Sequence, residues 1–191
     1  HIFVSKFAYG LSIPFTNAKI LQYKQPERGD VIVFKYPVEP GTDYIKRVMG
    51  LPGDAIEVRQ DEVFINGHPV PRQRITKTYS YMDVQQGGSM ADDHVCELWV
   101  ETVDGKKHQT IQEPGRMGHD FGRTVVPPGH VFVMGDNRDN SSDSRVWGTV
   151  QHDYIKGKAL IVWWSRANTD GWSLPNWLKS IRWGRFFRLV Q

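Results

Sequence analysis

The sequence predicts an all-β fold, a barrel-like core of antiparallel strands carrying a smaller β-rich insertion, and three observations support that expectation. Its apolar runs are short and rich in β-branched and aromatic residues, as in 31–36 and 131–134. Turn signals such as Pro52-Gly53 and Asn66-Gly67 separate the runs at short spacing. No stretch keeps a long helical period. The 191 residues, 39% apolar with seven Trp, are enough for one substantial core or a core plus an insertion.

Taken in order, residues 2–4 read as a strand entering 6–10, and 14–25 reads as loop. The run 31–36 is the clearest strand and stops at Pro37; 44–49 follows as its neighbour before the turn 51–54. Residues 55–59 alternate apolar and polar, and Asn66-Gly67 between 63–65 and 68–70 is a two-residue hairpin signal. From Pro71 to Arg123 the pattern weakens into short segments such as 97–103 between turn residues. Order returns at 124–126, at 131–134 and in a last strand over 157–164. The expected division is therefore a core of 1–60 with 124–191, and a β-rich insertion of 61–123.

Charge excludes little beyond nucleic acid: the net charge is +3, and Lys and Arg are scattered except near the C-terminus. The single cysteine, Cys96, permits no internal disulfide and no cysteine metal cluster, and reads as a buried inert thiol. No apolar run approaches the roughly 18 residues that span a bilayer; the longest, 159–164, has six. The chain opens directly on an apolar segment and reads as cut from something longer, with any anchor upstream of His1. In 172–191, Trp172, Trp177, Trp183, Phe186 and Phe187 mix with Lys179, Arg182, Arg185 and Arg188, which favours packing under the barrel over contact with a membrane interface.

Two places carry chemistry. After the apolar run 131–134 and Gly135, eleven residues (135–145) hold three carboxylates, two guanidiniums and three hydroxyls, dense for a solvated turn and able to pair their own charges into a rigid loop. In the strand around Lys46, alternate side chains share a face, so Tyr44, Lys46 and Val48 point one way and Ile45, Arg47 and Met49 the other. A lysine among apolar neighbours either snorkels to water or is desolvated. In the second case its pKa falls from about 10.4 and a neutral amine becomes available as a base.

Residues 135–145 with Trp147-Gly148 resemble the C-terminal catalytic box of bacterial type I signal peptidases, peptidase family S26, the leader peptidases that remove signal peptides from exported proteins. Arg28-Gly29-Asp30 with Val33 and Phe34, then 43–47, then Gly50 to Asp54, are similar to that family's lysine-containing boxes and stand in the right order. The resemblance implies a Ser/Lys dyad in which Lys46 is the general base and Ser141 the hydroxyl that orients its amine. It implies support of the loop by Asp143 with Arg145 and by Asp136 and Arg47. It also implies substrate contacts at Asp43, Tyr44 and Ile45 along an extended peptide, with Val33 and Ile2 lining shallow pockets for small residues of an Ala-x-Ala site. The expected partners are preprotein signal peptides and the lipid surface, without nucleic acid, metal or cofactor. The expected setting is a monomer in the bacterial inner membrane with its catalytic domain in the periplasm.

The family's nucleophile lies in a Ser-x-Ser-Met type segment shortly before the positions that match residues 1–4. It is therefore expected upstream of this sequence, and residues 1–191 alone are expected to be inactive. Ser89-Met90 mimics that segment but follows Lys46 and lacks the partnering serine and proline. Two rival readings are a non-enzymatic β-domain that binds peptides or membrane, and a self-cleaving Ser/Lys repressor-type protease. The ordered boxes count against the first, and the second needs a DNA-binding domain and cleavage site that the sequence does not show.

Overall fold

A computed structural model describes residues 2–5, 8–9, 11–12, 19–21, 24–83, 92–115, 120–162 and 188–189. The strands begin with β1 (Ile2–Ser5), β2 (Leu11–Ser12), β3 (Lys19–Leu21), β4 (Val31–Lys35), β5 (Asp43–Gly50), β6 (Ala55–Arg59), β7 (Glu62–Ile65) and β8 (His68–Pro69). They continue with β9 (Arg72–Asp83), β10 (Asp92–Val103), β11 (Lys106–Gln112), β12 (Phe121–Val125) and β13 (His130–Met134). After one helical turn, α1 (Ser144–Trp147), come β14 (Val150–Gln151), β15 (Ile155–Val162) and β16 (Arg188–Leu189). All pairings between these strands are antiparallel, as an all-β fold of short connections requires.

The main sheet runs β1-β15-β4-β5-β13-β14, with β16 on β15; a second runs β12-β6-β7-β8 and a third β11-β10-β9, while β2 pairs β3. Strands β5 and β13 sit between two cores. On one side Val48, Val131 and Val133 join Ile32, Phe34, Val150, Ile155 and Tyr9. On the other, Met49, Phe132 and Met134 join Ile56, Val58, Val63, Val70, Val103 and Val126. A strand covered on both faces needs apolar residues at successive positions, which is why 131–134 reads as a continuous run rather than an alternation. Each such side chain taken fully out of water contributes about 1.5–3 kcal/mol.

The β6–β7–β8 turns behave as their residues dictate: Asn66 and Gly67 both adopt positive φ, 54° and 83°, the conformation a two-residue hairpin needs. Four strands differ from the expectations. Residues 19–21, inside the stretch read as loop, form β3. Strand β12 starts at Phe121 rather than 124. Strands β9 and β10 run twelve residues each where short segments were expected. The inward positions of the sheet they form with β11 account for the last difference. Glu101, His108, Thr110 and Gln112 are all buried, so the sheet's inner face is polar and leaves no hydrophobic period to read. Cys96 is buried, and burial, then Glu113 and Asp139, push its thiol pKa up, as expected of an inert thiol. The Ser89-Met90 pair and the aromatic residues of the 172–191 tail lie outside the described residues.

Candidate active site

Strand β13 pairs with β5 only at Gly50, Val48 and Arg47; beyond Met134 the chain leaves the sheet as the loop 135–143. Residues 43–46 of β5 therefore have β4 on one side and, among the described residues, no strand on the other. The loop grips β5 at the start of that free edge from both faces, because successive strand residues point opposite ways. Lys46 Nζ donates to Ser141 Oγ at 2.8 Å. Its neighbour Arg47, 4% exposed, donates from Nε and Nη2 to the two Asp136 carboxylate oxygens at 2.9 Å each, and from Nη1 to the Gly29 carbonyl at 2.8 Å.

The environment of the Lys46 amine follows from its cross-strand partners. Opposite it on β4 is Ile32, fully buried, and along its own face are Tyr44 and Val48. Tyr44 stacks on Tyr36 with centroids 4.3 Å apart, Phe34 meets Tyr44 edge-on at 6.5 Å, and Trp147 of α1 closes on Phe34 and Tyr36 at 5.8 Å each. This aromatic wall ends at Lys46, whose Nζ is 5.7 Å from the Tyr44 centroid. Burial pushes the amine below the ordinary lysine value; Asp143 and Asp136 oppose that and Arg145 adds to it, with burial dominant. Burial thus shifts the amine toward its neutral form, the form that accepts a proton.

The loop holds itself rigid around Asp143, which is fully buried. Its carboxylate accepts from the Gly135 N–H (2.9 Å) and the Arg145 N–H (3.2 Å), and from Arg145 Nε (2.9 Å) and Nη2 (2.8 Å), while capping α1. Burial raises its pKa, but the Arg145 guanidinium and these N–H groups outweigh burial and hold it below the usual carboxylate range. Ser144 Oγ accepts the Val133 N–H at 2.9 Å, fastening the loop to the end of β13.

Gly135 is the residue that lets the pair meet. A Cβ there would stand 2.0 Å from Ser141 Oγ and 3.3 Å from Lys46 Nζ, so only glycine leaves room for the hydroxyl against the backbone.

Among the other residues singled out from sequence, Val33 and Ile45 face each other across β4 and β5 on the side opposite Lys46, half-buried and 38% exposed respectively. Asp43, at the mouth of the free edge, accepts from Lys156 Nζ at 2.7 Å. Ile2 stands on β1 opposite Val162, with β15 and β4 between it and β5; its side chain lies outside the described residues. The sequence reading passed over Gly135 and Tyr36. The first was legible only as a strand stop. The second could have been found from period two, since Ile32, Phe34 and Tyr36 share a face.

No group of three or more His, Cys, Asp or Glu among the described residues could hold a metal ion, and no described helix is long and apolar enough to cross a membrane.

Comparison with known proteins gives the family. The family described as "Signal peptidase, peptidase S26" matches residues 1–164. A curated "Signal peptidase I" of Pseudomonas fluorescens is 38% identical over 187 residues, covering 92% of this chain and 62% of that protein. The "Signal peptidase I" of Pseudomonas aeruginosa is 36% identical with the same coverage. A crystal structure of a signal peptidase I from Enterococcus faecalis V583 has a TM-score of 0.40 at 27% identity, covering 71% of this chain and 97% of that one, a likeness on which nothing below rests. The chain spans 62% of the length of the two Pseudomonas relatives. With 164 of its residues matched, this chain belongs to the signal peptidase family, peptidase S26.

Proposed function

We propose that this chain carries the general-base half of a membrane-bound serine endopeptidase that removes signal peptides from exported preproteins after small residues. One observation bears most of the weight: a desolvated lysine amine, fixed at 2.8 Å by a loop hydroxyl, at the free edge of a strand. An extended substrate has backbone groups to pair with the Asp43–Lys46 edge, and Val33 and Ile45 offer apolar surface on the opposite face from the amine. The attacking hydroxyl is assigned, on the family resemblance, to a serine preceding the positions matched by residues 1–4. Lys46 takes that hydroxyl's proton as the oxygen adds to the scissile carbonyl, then returns it to the departing amine; water, deprotonated in the same way, releases the acyl group. Ser141 spends its hydrogen bond on aiming the amine. The partners under this reading are preproteins and the lipid surface of the inner membrane, with the site on the periplasmic side.

The test uses the full-length protein and an Ala-x-Ala preprotein. Cleavage after the second Ala is expected, and Lys46→Met, which keeps the stem and removes the base, lowers turnover at least about a hundredfold. Unchanged turnover in Lys46→Met overturns the base assignment, and no cleavage by the parent overturns the activity.

A further inference from the structure

The loop that carries Ser141 has a second mount, outside the catalytic sheet. Its residues 136–139 lie along the end of β11: the Ile111 N–H donates to the Asp136 carbonyl at 3.0 Å, and the Arg138 N–H donates to the Ile111 carbonyl at 3.0 Å. A parallel bridge joins Ile111 to Asn137, and the Glu113 N–H donates to Asp139 Oδ2. Between these backbone contacts the Arg138 side chain enters the polar inner face of the β9–β11 sheet. Both Arg138 and Glu101 are 2% exposed, and Arg138 Nη2 donates to Glu101 Oε2. Glu101 also accepts from Thr110 Oγ1 at 3.4 Å and stands 3.6 Å from His108 Nε2, its cross-strand neighbour on β11. From Arg138 a continuous path leads to the site. Its carbonyl accepts Arg145 Nη2 at 2.7 Å, Arg145 pairs with Asp143, Asp143 holds the Gly135 N–H, and Gly135 backs Ser141 against Lys46.

Such a pair is a poor choice for stability alone. Its attraction is largely offset by desolvation of both charges, and an apolar pair of the same volume would hold the sheet to the loop as well. Among the described residues, moreover, Arg138 Nε and Nη1 are buried with no hydrogen-bond partner. What a planar guanidinium adds is direction, because its fork accepts a carboxylate in few orientations.

We propose that Arg138 and Glu101 are positioning residues for the Lys46 base: through their buried pair the β9–β11 sheet sets the register of the loop that brings Ser141 to the amine. This rests on the reading of Lys46 as the base. The charged and polar groups facing Lys46 are Asp136, Asp143 and Arg145 of the loop, Ser141, and Tyr44 of its own strand; those facing Glu101 are Arg138, His108 and Thr110.

The test reads the amine itself, so it does not depend on turnover. In full-length protein labelled with 13C-lysine, the Lys46 side-chain resonance, assigned by its loss in Lys46→Met, is titrated in the parent, Glu101→Gln, the double variant Glu101→Gln/Arg138→Gln, and Arg74→Gln. The double variant removes opposite charges together. The field at Lys46 then changes little, and no unpaired charge is left in the core to prevent folding. The Arg74 pair with Glu97 lies on the same sheet but is solvent-accessible, and serves as control. In the double variant the Lys46 midpoint is expected to rise toward the ordinary value by at least about half a pH unit. The kcat of the full-length enzyme is expected to fall about tenfold with KM unchanged. Arg74→Gln should move neither. A double variant that melts earlier but keeps the parental Lys46 midpoint and kcat overturns the proposal. Should the parent cleave no preprotein, the peptidase reading fails while the titration still decides the positioning role; a parental Lys46 that titrates at the ordinary lysine value sinks both.

Discussion

Strands β5 and β13, which carry the loop on the catalytic sheet, are packed by Val48, Met49, Val131, Phe132, Val133 and Met134, none more than 1% exposed, whereas β10 and β11 bury the polar set Glu101, His108, Thr110 and Gln112, of which Glu101 holds Arg138 of the loop. The apolar packing is non-directional and supplies stability; the buried polar set is directional and supplies orientation. The loop is clamped between them, and the comparison says which side chains should fail by unfolding and which by misaiming.

Among the residues that hold the loop, the largest expected loss comes from the one position where the clamp has no slack. Gly135→Ala places a methyl 2.0 Å from the Ser141 hydroxyl oxygen, far inside van der Waals contact, so either Ser141 or the loop must shift. A displacement near 1 Å in a catalytic group lowers turnover about a hundredfold. Gly122, on β12, has open space where its Cβ would go, and Gly122→Ala should leave preprotein cleavage at the parental rate. Equal rates in the two variants would mean that the contact at Gly135 is irrelevant to catalysis.

Next in size is the separation of scaffold from aim. Asp143→Ala leaves the buried Arg145 uncompensated and should cost about 3–5 kcal/mol in denaturant melts. Breaking the exposed Arg74–Glu97 pair should cost about 0–1 kcal/mol. Ser141→Ala deletes one hydroxyl hydrogen bond, worth about 0.5–1.5 kcal/mol, yet should slow cleavage at least about tenfold. If Ser141→Ala melts as early as Asp143→Ala, aiming and scaffolding are not separate jobs.

Acid sharpens the comparison further. Glu101 is pulled down to about 2: burial would raise its pKa, but Arg138 and His108 outweigh burial. A folded value below the unfolded one gives stability that is present at neutral pH and lost as pH falls from roughly 4.5 towards 2. In Glu101→Gln that acid-dependent loss should shrink, measured as the slope of unfolding free energy against pH below 4.5. Lys46 is shifted toward its neutral rather than its charged form, yet the sign of the slope is the same. With its folded value lowered, the unfolded chain binds more protons between the two values, so stability rises with pH across that window, and Lys46→Met should flatten the rise. This is the smallest effect, because the amine is only half-buried.

How much of this was legible follows the same division. The apolar run 131–134, the strand 31–36 and the Asn66-Gly67 turn state their structure through period and turn chemistry, and the loop's density of Asp, Arg and Ser marked it as a site. The Lys46–Ser141 meeting was named only through the resemblance, since no local pattern joins positions 95 residues apart, whereas pairing among the loop's own charges, realised by Asp143 with Arg145, was expected from their density. Glu101 and His108 were invisible, and Arg138, counted among the charges that the loop would pair within itself, pairs instead with Glu101 of β10. Buried charges look like surface charges in a sequence, and their partners come from three separate segments. Gly135 looked like punctuation because the reason for glycine there is a contact with residue 141, not a turn.

The central claim is that Lys46 is a lysine whose working form is neutral near physiological pH. The pH dependence of kcat/KM for an Ala-x-Ala preprotein, measured on the full-length enzyme with the folded fraction monitored at each pH, tests it most directly. The account predicts an acid limb with its midpoint clearly below the ordinary lysine value of about 10.4, and no residual limb of that kind in Lys46→Arg, whose guanidinium stays protonated and should lower activity at least about a hundredfold at every pH. A rate that climbs until about pH 10.4, or a Lys46→Arg enzyme with near-parental turnover, would contradict it.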